Sequence, residues 1–100
     1  MKILLDLDDT VIINGCLHSE FFEFRSWVKD GKHEVVVWSS HEDGKAIAEL
    51  MEFDYLAKDD KKKPKADVLI DDSCGQFEKL CSVDVLCHSL NGFLTMVGVY

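Results

Sequence analysis

Three carboxylates fall within four positions near the start of the chain, in Asp6-Leu7-Asp8-Asp9, directly after the apolar run Ile3-Leu4-Leu5. Side chains alternate faces along an extended segment, so Asp6 and Asp8 can face one way while Leu7 faces a core. Like charges that close repel, and without a cation one member of the cluster keeps its proton. A hard divalent cation such as Mg²⁺, which takes carboxylate oxygens, relieves that repulsion. Taken alone, the stretch can also be read as a solvated acidic turn after a strand. A second acidic pair, Asp71-Asp72, closes another apolar run, Val68-Leu69-Ile70, and favours the metal. Two hydroxyls, Ser39 and Ser40, close a third run, Val35-Val36-Val37-Trp38. Carboxylates around one cation, with a hydroxyl and a lysine nearby, suit phosphoryl transfer. The cation can bridge an attacking carboxylate and a phosphate oxygen, and the other donors can hold the remaining oxygens. A carboxylate nucleophile splits one hard hydrolysis into two easier steps through an aspartyl-phosphate.

The elements that must position these groups alternate between extended and helical patterns. Residues 3–5, too continuously apolar for a strand with one wet face, predict a buried first strand. Val11-Ile12-Ile13-Asn14-Gly15 reads as extended and ends in a turn dipeptide. Ser19 is the expected N-cap of a helix running to about Asp30, with Gly31 at its end and Leu17, Phe21, Phe24 and Val28 as its stripe. The β-branched run from Glu34 to Ser40 predicts a second strand. A helix from about Asp43 to Phe53, turning Ala46, Ile47, Leu50 and Met51 inward, and a short strand over Asp54–Ala57 follow. Asp67 to Asp72 predicts a fourth strand. Ser73 and Gln76 have capping-box spacing, which starts a helix of roughly Cys74 to Cys81. Val83 to Cys87 is a fifth strand. The tail from Ser89 to Tyr100 is apolar enough for a helix, against Gly92 and Gly98.

Alternating strands and helices imply an α/β fold, a Rossmann-like parallel sheet of about five strands with helices on both faces. Ligands of such sheets sit outside the carboxyl ends of the strands, where the winding reverses. All three polar clusters fall at carboxyl ends of predicted strands. If the first and fourth strands are neighbours, their carboxylates converge on one point.

With 100 residues the chain is expected to form one domain, residues 1–100. A composition 47% apolar and 30% charged is that of an ordinary soluble protein. A formal net charge of −8 argues against a broad basic face for duplex DNA. Five of the eleven basic residues (Lys58, Lys61, Lys62, Lys63 and Lys65) crowd one stretch, so positive charge is local. Cys16, Cys74, Cys81 and Cys87 form no CxxC pair. With His88 three of them could be drawn as a zinc site, but their spacing matches no usual ligand pattern. Small buried thiols of a reducing compartment are expected instead. The apolar start is broken by Asp6, and no run is long enough to span a bilayer, so a cytoplasmic location is expected.

In order along the chain, Asp6-Leu7-Asp8-Asp9-Thr10, the hydroxyl after Val35-Val36-Val37-Trp38, Lys63-Pro64 and Val68-Leu69-Ile70-Asp71-Asp72 resemble the motifs of the haloacid dehalogenase-like (HAD) phosphohydrolases. The resemblance runs from residue 2 to about residue 80, and the wording from Lys63 to Asp72 is similar to that of small capless members. It implies a Mg²⁺-dependent phosphatase working through an aspartyl-phosphate. Asp6 would be the nucleophile. Asp8 would be the general acid/base, its backbone carbonyl also reaching Mg²⁺. Ser39 would bind the transferring phosphoryl group, with Ser40 as the alternative, and Lys63 would neutralise it, with Lys58, Lys61, Lys62 and Lys65 as near competitors. Asp72 would be the main second metal ligand, with Asp71 direct or through water, so that Asp6, Asp8, Asp71 and Asp72 form the metal set. His41, beside the site, is expected to be an exposed turn residue.

Members of the family usually carry a cap domain. About thirty residues separate Asp6 from Ser39 and about as many separate Ser39 from Asp71, which the predicted elements use up. An open site without a cap suits a phosphorylated small molecule, a nucleic-acid end or a phosphoprotein, or closure by a second copy of the chain. The alternative is a catalytically weak metal- or phosphate-binding regulatory module of the same fold. A response-regulator receiver ranks below both, because it needs a lone acceptor Asp at mid-chain and leaves Asp71-Asp72 unexplained.

Overall fold

The computed structural model describes residues 1–100 as an α/β domain built on one five-stranded parallel sheet. In chain order the elements are β1 (Lys2–Leu5), β2 (Ile12–Ile13), β3 (Cys16–Leu17), α1 (Phe21–Asp30), β4 (Glu34–Ser39), α2 (Gly44–Met51), β5 (Asp54–Ala57), β6 (Val68–Ile70), α3 (Cys74–Phe77), a 3₁₀ turn (Glu78–Leu80), β7 (Val85–Cys87) and α4 (Leu90–Met96). The sheet order is β5-β4-β1-β6-β7, every pair parallel. Numbering only the sheet strands, that order is 3-2-1-4-5. It is compatible with a Rossmann-like arrangement, in which the winding reverses between β1 and β6.

Alternation along the strands sorts the core into two layers. Ile3, Leu5, Val35, Val37, Val68 and Ile70 face one side and are covered by Phe21, Phe24 and Val28 of α1, Ala48 and Met51 of α2, and Leu90, Phe93 and Leu94 of α4. Phe24 anchors this layer edge-on, its ring 5.6 Å from Phe93 and 6.4 Å from Phe53. Leu4, Trp38 and Leu69 face the other side, with Cys74 and Cys81 against them and Phe77 packed alongside. The expected helices on both faces are therefore unequal. Three helices cover one face, while the second has only the single turn of α3, the 3₁₀ turn and neighbouring loop residues. The cause is the β5–β6 connection, whose lysines and Pro64 form a loop where a crossover helix would otherwise lie.

Several boundaries moved for local reasons. Asn14 and Gly15 both take positive φ (53° and 76°), the geometry of a primed hairpin turn, and they join β2 to β3 as an antiparallel pair. Leu17 thus belongs to the hairpin and is exposed, outside the helical stripe. The N-cap of α1 is Glu20 rather than Ser19, without a side-chain cap bond. In α2 the inward positions are Gly44, Ala48 and Met51, with Ile47 at the margin; Ala46 is exposed and Leu50 is 84% exposed. The stripe that meets the sheet is the i, i+4, i+7 set Gly44, Ala48 and Met51, which leaves Ala46 and Leu50 on the outer face. Ser73 and Gln76 make no capping box, because Asp71 Oδ1 accepts from the Ser73 N–H at 2.9 Å and starts the turn instead. The tail resolves as α4, whose N-cap Ser89 accepts from Gly92 N at 3.0 Å. No helix is long and apolar enough to cross a membrane.

Candidate active site

Parallel pairing of β1 with β6 places Leu5 opposite Ile70, so the residues that follow, Asp6 and Asp71, leave the sheet side by side at its carboxyl edge. Both are buried, Asp6 at 5% exposure and Asp71 at 0%. The Asp6 backbone N–H donates to Ile70 O (2.9 Å) and that of Asp71 to Cys87 O (2.9 Å), so the ladder continues one step and fixes both carboxylates. One oxygen from each of Asp6, Asp71 and Asp72 lies within 4.8 Å of the others. The convergence expected for neighbouring first and fourth strands is what the topology produces.

Thr10 locks this cluster from the next turn. Leu7 O accepts from the N–H groups of Thr10, Val11 and Ile12, turning the chain back over β1. The buried Thr10 hydroxyl donates to Asp6 Oδ2 at 3.1 Å and accepts from Asp72 N at 3.1 Å. One side chain therefore ties the first acidic run to the second.

The cation of the cluster is Lys58. It follows β5, two strands from β1, and its Nζ donates to Asp6 Oδ1 at 2.9 Å and Asp71 Oδ2 at 2.7 Å. Its side chain is 6% exposed. The ammonium lies 3.8 Å from the Phe77 ring centroid and 5.5 Å from that of Trp38, positions of favourable cation–π attraction. Lys63 is exposed and makes no ion pair, so among the lysines of this stretch it is Lys58 that meets the carboxylates. The physical signal for Lys58 was its place one residue beyond a strand: in register with the strand's alternation, it must emerge on the face of Leu56 and Trp38. Lys61, Lys62, Lys63 and Lys65 sit further into the loop.

Burial first, and the neighbouring Asp71 charge second, push the Asp6 carboxyl up to about 6, while Lys58 and Thr10 pull against them. Asp72 is also raised, by desolvation and then by Asp71. The triad carries more negative charge than one lysine neutralises, the condition in which a site gains from a divalent cation.

The other expected residues surround the cluster. Asp8 lies outside the three converging carboxylates, its side chain 59% exposed and its Oδ1 3.8 Å from His41 Nε2. The buried Ser39 ends β4, the strand beside β1, and its Oγ accepts from the His41 N–H at 3.0 Å. Its hydroxyl hydrogen remains free to donate. Ser40 is exposed. His41 is half-buried rather than a free turn residue, since its Nδ1 accepts from Asp43 N at 3.0 Å. Cys74, Cys81 and Cys87 are buried free thiols, as expected, whereas Cys16 is exposed. Cys74 Sγ lies 3.4 Å from His88 Nδ1, but these residues converge on no metal-sized point with a third ligand.

A scan against protein-family models and searches of curated proteins and of solved structures return no match to this chain.

Proposed function

We propose that the chain is a Mg²⁺-dependent phosphatase of the HAD-like class, with Asp6 as nucleophile. The observation that carries this reading is the buried Asp6–Lys58–Asp71 arrangement, joined to Asp72 through Thr10, at the carboxyl edge where the winding reverses. A paired surface cluster would be solvated. Here, two buried carboxylates share one lysine and one of them is held well above its ordinary range, an arrangement costly for stability and typical of reacting groups.

The donor set fits Mg²⁺: carboxylate oxygens of Asp6, Asp71 and Asp72 within one small radius, with the Asp8 backbone carbonyl as a further candidate. When bound, the ion would neutralise phosphate charge and keep Asp6 ionised. The chain's own residues supply the rest. The Asp6 carboxylate attacks phosphorus, and the bond from phosphorus to the leaving oxygen breaks as Asp8 gives that oxygen its proton. Asp8 then accepts a proton from water as the water attacks phosphorus of the aspartyl-phosphate, returning Asp6 and releasing inorganic phosphate. Lys58 and the Ser39 O–H would hold the other phosphoryl oxygens. Only the β2–β3 hairpin and α1 stand between β1 and β4, and α2, β5 and the lysine loop between β4 and β6. We read the site as open, with no cap domain.

Hydrolysis of an aryl phosphate with and without Mg²⁺, by wild type and Asp6→Asn in parallel, tests the proposal. The expected result is a Mg²⁺-dependent rate lost in the variant. Equal rates in both proteins would remove Asp6 as nucleophile. Mg²⁺ or phosphate-analogue binding without turnover would instead leave the chain as a regulatory binding module.

A further inference from the structure

Beside the carboxylate cluster, at the carboxyl ends of β4 and β5, lies a cavity of about 270 Å³ bordered by Ser40, His41, Glu42, Tyr55 and Asp59. That volume falls just below the range of about 300–1,000 Å³ typical of drug-sized ligand pockets, the scale of a small alcohol or sugar rather than a polymer strand. His41 joins it to the site. The His41 Nδ1 accepts a backbone N–H, so the proton of the neutral ring sits on Nε2, which faces Asp8. The residue that protonates the leaving oxygen must touch that oxygen. With Asp8 as that acid the leaving alcohol starts at Asp8, and His41, 3.8 Å from it, lines this cavity together with Ser39.

Its lining decides what the alcohol can carry. Glu42 and Asp59 are acceptors, Ser40 offers a hydroxyl, and the Tyr55 Oη, which donates to Ser39 O at 3.2 Å, keeps lone pairs to accept with. No lysine or arginine borders the cavity. A leaving group with a second phosphate or a carboxylate meets like charge there, whereas hydroxyl or ammonium groups meet acceptors.

Resting on the phosphatase reading above, we propose that this cavity is the leaving-group subsite and selects phosphomonoesters of small hydroxylated or amine-bearing alcohols over those of acidic alcohols. The test compares kcat/KM of the full chain with Mg²⁺ on O-phosphoethanolamine, glycerol 2-phosphate, phosphoglycolate and an aryl phosphate, for wild type, Glu42→Gln, Asp59→Asn and the double variant. In wild type the amine and polyol esters are expected to exceed phosphoglycolate at least tenfold. The double variant is expected to narrow that ratio at least fivefold, chiefly through KM. Hydrolysis of the aryl phosphate with equal kcat/KM on the other three esters would overturn the subsite while leaving the phosphatase intact. A preference unchanged in the double variant would do the same. Absence of all Mg²⁺-dependent hydrolysis would bring down the phosphatase reading and the subsite with it.

Discussion

Lys58 Nζ lies 2.7 Å from Asp71 Oδ2 although the two residues follow strands separated by two others, β4 and β1. The lysine spans the sheet edge above Trp38 and meets Asp6 on the way, at 2.9 Å. A loop otherwise full of solvated lysines thus supplies one that is desolvated and paired twice.

Replacing Lys58 by Met removes the positive charge paired with Asp6 and Asp71, which on the proposed mechanism also holds the phosphoryl group. The expected loss in kcat is about 10²–10³-fold, the scale for removing one donor to developing charge. Lys63→Ala, in the exposed part of the loop, is expected to stay within about twofold. Steady-state rates on an aryl phosphate for the two variants decide between the lysines.

The Asp6 carboxyl, raised to about 6 by burial and by Asp71, makes metal-free stability depend on pH. Between its unfolded value near 4 and about 6, the folded protein binds more protons than the unfolded one, so stability falls as pH rises through that window. Above it the full penalty stands. Asp6→Asn is therefore expected to be more stable than wild type at pH 7.5 without Mg²⁺, by roughly 1–3 kcal/mol, and to lose that advantage toward pH 4. Saturating Mg²⁺ should raise the wild-type Tm more than the variant's, and weaken in that effect below pH 6 as protons compete for the carboxylates. Thermal melts over pH 4–8 with and without Mg²⁺ check the sign.

Thr10→Val keeps the shape but leaves Asp6 Oδ2 without its donor and the Asp72 N–H without its acceptor. A buried unsatisfied group costs about 1–3 kcal/mol. A Tm drop of at least ~4 °C, together with a weaker response to Mg²⁺, is the expected outcome in differential scanning calorimetry.

On α2, Leu50→Gln should change stability by no more than about 0.5 kcal/mol, because the side chain is 84% exposed. Ala48→Leu, two residues earlier on the opposite face and 0% exposed, should cost about 1–3 kcal/mol through overpacking. Denaturant midpoints distinguish the two faces.

Those two positions also show where the sequence was legible. Strands were readable because their β-branched runs and terminal polar groups carry their own signal, and β5 falls at Asp54–Ala57 as expected. The carboxylate pair was readable because parallel neighbours bring their carboxyl ends together. Helix faces were less so: α2 carries apolar residues on more than one side, and only its packing on the sheet decides that Ala48 and Met51 face in while Leu50 faces out. Lys58 was hidden because five lysines in one stretch look alike until strand register singles one out. Thr10 stood inside a quoted motif without a role, since its value lies in an Asp72 amide far along the chain.

The two tryptophans divide between the two faces of the sheet. Trp27 stacks on His33 at 4.1 Å among the helices, while the fully buried Trp38 lies under Lys58 with its indole Nε1 hydrogen unshared. Trp38 is thus an intrinsic fluorophore whose excited state feels the lysine's charge. In a Trp27→Phe background, emission from this single indole would report when a ligand draws Lys58 away from the carboxylates, with no dye and no turnover.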